Sequence, residues 1–394
     1  MTTPLHPEHG RASTRRILRT LWFALALAGC GGDVDSGGTG APVFASGTIS
    51  GFGSVIVGGV HFDDSHASVT DADGTARSRD DLRLGMTTEI RGSALGIDAS
   101  GLTVSTASSI AFGSDLLGPV AAIDLVANRL VVLGQTVDIN AGTVFDAASV
   151  SGGLPALALG DLVEVYARFD AATGHYTATR VERKTTATTY LLRGVVRSLD
   201  TTAKAFNIGS EHFSYAAFSG TLPATLVNGG IVRVRVRTVQ VAGVWQVAGL
   251  GDGVQQPPDR DEVRLEGLVS AFLSPTQFSV NGVAVDASGV NTAGVALGVR
   301  VEVEGTSRAG VLVATKLEVK VAGGGDEFEL SGLIASTDPA TLSFVLRGVT
   351  VVYAATTEFS GGTAAGLIVG AKVEVSGKLS SDGTRLLAKE VSFH

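Results

Sequence analysis

Cysteine is nearly absent from this sequence. Cys30 is the only cysteine among 394 residues. One cysteine cannot form an intrachain disulfide, and it cannot supply the several thiolates of a Cys-rich zinc site. The fold must therefore hold together without such cross-links.

Aromatic residues and positive charge are also scarce. Phe, Trp and Tyr make up 6% of the residues, and the formal net charge is −8 at pH 7. A nucleic-acid interface needs an excess of Lys and Arg to contact the phosphates. We therefore expect no nucleic-acid partner, and the same charge disfavours attachment through anionic lipid head groups.

The motifs of common enzyme classes are missing too. The sequence contains no Gly-x-Ser-x-Gly, no P-loop and no His-Glu-x-x-His. Gly51-Phe-Gly53 precedes a predicted strand rather than a helix, which argues against nucleotide binding. We therefore predict no catalytic residue and no cofactor.

The abundant residues are Gly, Val, Ala, Thr and Ser, which are typical of short strands and tight turns. One motif recurs five times: an apolar residue, two spacers, Gly, two more spacers and then Val-Glu-Val or a close variant. We call it the Gly-Val-Glu-Val motif. Its glycines and central charged residues are Gly85 and Glu89, Gly160 and Glu164, Gly229 and Arg233, Gly298 and Glu302, Gly370 and Glu374. Copies spaced roughly 70 residues apart predict tandem small domains.

Each copy predicts the same run of strands: an opening strand, a Gly-containing hairpin, the motif strand and a closing strand. Asn281-Gly282 is the clearest hairpin because this pair suits a type I′ turn. Alternation within the motif sends Val301 and Val303 to one face and Glu302 to the other. Units of this size can close into small barrels, so we predict an all-β protein of five tandem small antiparallel β-barrels with little helix. One helical turn is expected at positions such as 147–159.

The predicted boundaries follow from the repeat. Two linkers, 254–261 and 323–326, separate the later modules. The five modules, numbered one to five, span residues 44–114, 115–187, 188–253, 262–322 and 327–394.

The amino terminus reads as an export signal over residues 1–29. Arg15-Arg16-Ile-Leu-Arg19 is positively charged, and Leu21 to Leu27 is apolar but too short to span a bilayer. Leu27-Ala28-Gly29-Cys30 follows and resembles the lipobox of bacterial lipoproteins. The resemblance implies lipidation of Cys30 and a membrane anchor. A plain secretory signal with an incidental cysteine and a twin-arginine signal are the alternatives.

The residues after Cys30 bear on location. No Asp directly follows the cysteine, and by resemblance to Gram-negative lipoproteins this implies the outer membrane, facing either the periplasm or the outside. Residues 30–43 are mostly Gly, Ser, Thr and Asp, and they predict a flexible tether.

The order of opening Gly, Gly-turn hairpin, Leu-x-x-Gly-x-x-Val-Glu-Val-x-Gly and closing Ala-x-x-Val resembles a bacterial family, the domain of unknown function 5666. The resemblance implies small OB-like barrels that often occur in tandem in lipoproteins. The family carries no established activity, so the resemblance adds no catalytic residue. Thr88 and Arg233 depart from the motif in modules one and three.

Two acidic clusters are candidate metal sites. His61-Phe-Asp-Asp-Ser-His66 holds two His and two Asp within six residues, but an extended strand would divide them between two faces. Asp71-Ala-Asp73-Gly74 lacks most ligands of a calcium loop and suits an Asp-Gly turn. We predict no metal site at either cluster.

Two further sets of residues have a structural and a functional interpretation. The first set is the motif glutamates, which could be repeated ligands. We predict instead that they form a solvated face opposite the valines: Glu89, Glu164, Glu302 and Glu374. Trp245, Tyr166 and Tyr176 are sugar-stacking platforms or, as we predict, core and rim packing.

The sequence predicts a non-catalytic, lipid-anchored cell-envelope protein whose barrels act as binding or spacer modules for an unknown protein or glycan. One alternative is an envelope carbohydrate-binding protein. Glycan binding by the wild type that is lost in the Trp245→Ala variant would favour this alternative. The other is an uncharacterised envelope enzyme, which a cleft with paired carboxylates of raised pKa would favour.

Overall fold

The computed structural model describes residues 41–254, 256–320 and 327–394. These residues fall in a single unit that runs from Gly37 to His394. The predicted signal at 1–29, the anchor Cys30 and the linker at 323–326 lie outside the described residues. Throughout the described part the regular elements are β-strands and short 3-10 turns, with no α-helix.

The first two modules contain fifteen strands, several of them very short. Those of module one are β1 (Val43–Thr48), β2 (Gly51–Phe52), β3 (Val55–Val57), β4 (Val60–Asp63), β5 (Ser68–Asp71), β6 (Ala76–Arg77), β7 (Thr87–Gly92), β8 (Gly96–Ile97) and β9 (Thr103–Phe112). Those of module two are β10 (Leu116–Asp124), β11 (Arg129–Val132), β12 (Gln135–Asp138), β13 (Val144–Phe145), β14 (Leu162–Asp170) and β15 (His175–Arg183).

The last three modules follow the same order. Module three has β16 (Thr189–Val195), β17 (Arg197–Asp200), β18 (Ala205–Ile208), β19 (Glu211–Ser214), β20 (Ile231–Arg237) and β21 (Trp245–Asp252). Module four has β22 (Arg260–Ser274), β23 (Gln277–Val280), β24 (Val283–Asp286), β25 (Arg300–Arg308) and β26 (Val311–Val319). Module five has β27 (Phe328–Asp338), β28 (Ser343–Leu346), β29 (Val349–Val352), β30 (Glu358–Ser360), β31 (Lys372–Leu379) and β32 (Arg385–Phe393).

Local predictions from the motif are confirmed. Asn281 and Gly282 both have positive φ, 49° and 89°, as a type I′ hairpin turn requires. The 3-10 turn Leu154–Ala156 lies where one helical turn was expected. In all five modules the motif glycine has a φ between 78° and 85°, so the chain turns sharply into the motif strand.

Every motif strand also carries a β-bulge, two residues after its central charged position. The register against the closing strand shifts at Arg91/Gly92, Tyr166/Ala167, Arg235/Val236, Glu304/Gly305 and Ser376/Gly377. A bulge bends its strand, which lets a short sheet curl back on itself. These bulges were not predicted from the sequence.

The strands pair in closed rings. In module five, β27 pairs with β28 and β31, β28 with β29, and β32 with both β29 and β31. Modules two and four repeat this scheme. The protein is therefore all-β and built with small closed barrels.

The prediction of purely antiparallel barrels is wrong in one respect. Each module has a parallel pair between the second hairpin strand and the closing strand, such as β29 with β32. A ring of five strands has an odd number of members, so its strand directions cannot alternate all the way round.

The modules are not separate beads. Module one pairs in parallel with module four through β1 and β22, and with module five through β2 and β27. Modules two and three pair through β10 and β16. Alternate residues of β1 consequently serve two cores, because Val43 and Ala45 pack within module one while Phe44 is buried in the core of module four. β22 begins at Arg260, inside the stretch predicted as a linker.

Candidate functional site

Modules one to four meet around a partly open cavity of about 150 Å³, which we call the central cavity. Its walls come from β1 and β7 of module one, β14 of module two, β16 of module three and β22 of module four. The charged residues that line it are Glu89, Asp115, Arg168, Arg193, Arg233, Asp252 and Glu266.

Glu89 reaches the cavity because of strand alternation. Its neighbours Thr88 and Ile90 are buried within module one, so the Glu89 side chain points out of that module. No hydrogen bond or ion pair from the described residues reaches its carboxylate. Burial raises the pKa of Glu89 to about 7, although Arg193 and Arg91 act to lower it.

Asp115 is held tightly at the start of module two. Its Oδ1 accepts a hydrogen bond from Arg193 Nη1 at 3.0 Å, and its Oδ2 accepts one from the backbone N–H of Ala167 at 2.9 Å. Burial raises the pKa of Asp115, against the lowering effect of Arg193. Arg193 also donates to the carbonyl of Gly253, so its guanidinium is fixed from two sides.

A buried ion pair joins three modules at the cavity wall. Arg168 Nη2 lies 3.0 Å from Glu266 Oε1 and also donates to Thr48 Oγ1 at 2.5 Å. Arg300 donates to the same Glu266 oxygen. Burial by itself would raise the pKa of Glu266, but Arg168 and Arg300 outweigh it and hold that pKa below its ordinary value.

These contacts leave one lining carboxyl chemically distinct. Asp115 and Glu266 are neutralised by arginines, whereas Glu89 faces the cavity without a partner among the described residues. A carboxyl with a pKa near 7 can accept a hydrogen bond from a bound molecule, pair with a cation, or take up and release a proton. The arrangement therefore suits recognition of a small polar molecule.

The prediction that the motif glutamates form a solvated face is wrong for three of the four. Glu164 pairs with Lys184, and Glu302 pairs with Lys320 and packs beside Gly58 of module one. Together with Glu89 they lie where modules meet or where ion pairs cover them. Only Glu374, with 40% of its side chain exposed, lies on an open face.

The candidate metal ligands make separate contacts and do not converge on one point. His61 Nδ1 lies 3.3 Å from Ser54 Oγ, and Asp64 pairs with Arg79 at 3.3 Å. The Asp71–Gly74 segment is a turn, and Asp73 binds Arg233 at 2.5 Å across the boundary between modules one and three. Within residues 41–254, 256–320 and 327–394, no group of three or more His, Cys, Asp or Glu side chains is placed to hold a metal ion.

The three aromatic residues proposed as sugar platforms are buried, as the packing interpretation predicted. Trp245 is 8% exposed and donates its Nε1–H to Glu211 at 2.7 Å. Tyr166 and Tyr176 are 2% and 1% exposed. None of the three rings lies on the exposed surface, and Tyr176 instead lines the central cavity.

Sequence reasoning missed Asp115, Arg168, Arg193 and Glu266. One sequence feature could have indicated two of these residues. In each module one residue of the opening strand pairs with the central charged residue of the motif strand. Modules one and five have Ser46 and Ser331 there, whereas modules three and four have the charged Arg193 and Glu266. Charged departures from the repeat thus coincide with contacts between modules.

No helix among the described residues is long and apolar enough to cross a membrane.

The comparisons with known proteins concern the repeats. Residues 118–182, 266–318 and 331–392 match the family model described as Domain of unknown function (DUF5666). These segments lie in modules two, four and five, and they confirm the resemblance inferred from the motif. A search of curated proteins found no match to the chain.

Proposed function

We propose, for a chain that carries repeated copies of the domain of unknown function DUF5666, a role as a non-catalytic, lipid-anchored binding protein of the cell envelope. Its modules form one body, and the central cavity between them receives a small molecule. One observation carries the proposal: four modules from distant parts of the chain contribute charged side chains to one cavity. Sites at domain junctions with a few convergent polar groups are typical ligand sites.

We also infer that all five modules are copies of one barrel, including modules one and three, which the family model does not match. The positive-φ glycine, the bulge and the parallel pair recur in all five. What differs is the opening strand. It is continuous in modules two, four and five, and it is divided into β1 and β2 or β16 and β17 in the other two.

A test of binding uses a variant that fills the cavity. Ala111 lines the cavity and is partly buried, so Ala111→Leu should occupy the space that a ligand needs. Wild-type protein and Ala111→Leu are each incubated with envelope extract, washed and denatured, and the released small molecules are measured by mass spectrometry. A molecule retained by wild type and lost from a folded Ala111→Leu supports binding. Equal retention by both proteins would place the bound molecule outside the cavity, and no retained molecule in either protein would leave only the spacer role.

The anchor is tested separately. Lipidation of Cys30 predicts that Cys30→Ser moves the protein from the membrane fraction to the soluble fraction, because acyl chains supply the membrane affinity. Immunoblots of fractionated cells measure this. A Cys30→Ser protein that stays in the membrane fraction contradicts the lipid anchor.

An enzymatic role is the second candidate, and one observation favours it. Glu89 and Asp115 line the same cavity, and burial raises the pKa of both. Asp115 has both oxygens engaged, so Glu89 is the residue able to transfer a proton. Conversion of a retained molecule by wild type, with loss of conversion in Glu89→Gln, would establish catalysis and overturn the non-catalytic role.

A further inference from the structure

The four carboxyl groups that line the central cavity differ in their partners. Asp115 is paired with Arg193, and Glu266 is paired with Arg168 and Arg300. Asp252 lies at the exposed rim, where it accepts a hydrogen bond from Thr225 Oγ1 at 2.7 Å. Glu89 alone of the four has no partner among the described residues.

The lining arginines, by contrast, already have carboxylate partners. Arg193 binds Asp115, Arg168 binds Glu266, and Arg233 binds Asp73. An anionic ligand would have to break one of these pairs, and separating a buried pair is costly because it leaves an uncompensated charge. A cationic ligand would instead meet an open carboxylate.

The class of ligand can be inferred if the binding role proposed above holds. We propose that the central cavity binds a small molecule through its ammonium group and that the Glu89 carboxylate receives this group. Three N–H donors of an ammonium suit a single carboxylate with a nearby hydroxyl, and Ser46 lies directly across the strand pair from Glu89. Apolar lining residues, among them Phe169, Ile231 and Val254, would contact the body of the molecule.

Size and ligand number narrow the class further. A cavity of 150 Å³ accommodates a molecule of about benzene's size. A divalent cation needs about six oxygen ligands, and the four lining carboxyl groups, like the rest of the described residues, include no group of three placed to hold a metal ion. A monoamine with a short apolar chain fits better than a metal ion.

Binding should be coupled to proton release. The groups that surround Glu89 are Arg91 on its own strand and, across the cavity, Arg168, Arg193, Arg233, Asp115 and Glu266. Among these groups, Glu89 is the carboxyl that has no hydrogen-bond or ion-pair partner in the described part of the chain. Burial gives Glu89 a pKa of about 7, and only its ionised form attracts an ammonium. The apparent affinity should therefore be about tenfold lower at pH 6 than at pH 8, in proportion to the ionised fraction.

The experiment is isothermal titration calorimetry on the purified full chain with n-butylammonium, butyrate and calcium ions as probes, at equal ionic strength and at pH 6 and pH 8. We expect n-butylammonium to bind, with the tenfold pH effect, and butyrate not to bind. Glu89→Gln should abolish binding at both pH values, whereas Glu89→Asp should weaken it but keep the pH effect. Glu374→Gln is the matched control, because it removes an exposed glutamate at the same motif position, and it should bind as wild type does.

Other outcomes overturn the inference in distinct ways. Tighter binding of butyrate, or calcium binding that depends on Glu89, would assign the cavity to another ligand class and leave the binding role intact. If n-butylammonium still binds to the Glu89→Gln variant, its binding site does not depend on Glu89 and the inference is wrong. If none of the probes binds, the ammonium proposal fails, while the retention experiment with Ala111→Leu still judges the binding role independently.

Discussion

Glu89 in module one and Glu374 in module five occupy the same place in the motif, and each pairs across the strands with a serine, Ser46 or Ser331. Their surroundings differ. Glu89 faces a cavity that module one forms together with modules two, three and four, while Glu374 lies on an open face, 3.4 Å from His394 Nε2. The local strand geometry decides that the glutamate points out of its own barrel. Neighbouring modules decide whether that direction leads to water or to a binding cavity.

The largest loss of stability should come from breaking the buried ion pair between Arg168 and Glu266, where modules two and four meet. Glu266→Leu leaves the buried Arg168 with no carboxylate from that residue, and breaking a buried pair typically costs about 3–5 kcal/mol. The control is Glu327→Leu on module five, whose partner Lys389 is exposed, where a change within about 1 kcal/mol is expected. Urea unfolding curves measure both. Similar losses of unfolding free energy for the two variants would show that the Arg168–Glu266 pair stabilises the protein no more than an exposed ion pair does.

The motif glycines offer a second comparison between the same modules. Gly85 and Gly370 both have positive φ, so alanine should cost about 1–2 kcal/mol at either position. A Cβ on Gly85 would also lie 2.4 Å from the carbonyl oxygen of Thr179 in module two, whereas nothing lies within 4 Å at Gly370. We expect Gly85→Ala to cost about 3 kcal/mol in all, because overpacking adds to the strain. Equal urea midpoints for the two variants would contradict the close approach of modules one and two.

The smallest effect concerns the pH dependence of stability. Burial raises the pKa of Glu89 from 4.5 to about 7, so the folded state holds this proton more tightly than the unfolded state. Its contribution to stability is fully present below pH 4.5 and is lost as pH rises through 7. Such a shift corresponds to about 3 kcal/mol at most, which partial exposure reduces to about 1–2 kcal/mol.

Glu89→Gln removes this titration and should be more stable than wild type by that amount at pH 8, with little difference at pH 4. Unfolding free energies at several pH values measure it, with Glu374→Gln as the exposed control. If the difference between Glu89→Gln and wild type does not change between pH 4 and pH 8, Glu89 is more exposed than the structure shows.

Much of the local structure was predictable because it depends on short-range geometry. The Asn281-Gly282 turn, the positive φ of Gly298 and the burial of Val301 and Val303 all follow from residue type and strand alternation. The family resemblance followed from the same motif. The bulges were not predicted, since Ala167 and Val236 stand where the three other modules have Gly92, Gly305 and Gly377, so residue type does not mark the position in every module.

The central cavity was harder to foresee because its residues come from four modules. Glu89 lies 177 positions before Glu266, and no periodicity links them. The prediction of a solvated face failed because it treated each barrel as isolated. Parallel pairing of β1 with β22 brings module four onto the outward face of module one, and this pairing leaves no trace in the spacing of the repeats.

By itself, the sequence determined the repeated all-β units, their turns and the direction of each motif side chain, because these depend on contacts between residues close in the chain. Only the tertiary structure decided which modules touch, which glutamate is buried and where a cavity forms. Those outcomes depend on the pairing of strands more than 200 residues apart, such as Val43 with Glu262. The glutamate at one motif position is therefore a surface residue in module five, Glu374, and a lining residue of the central cavity in module one, Glu89.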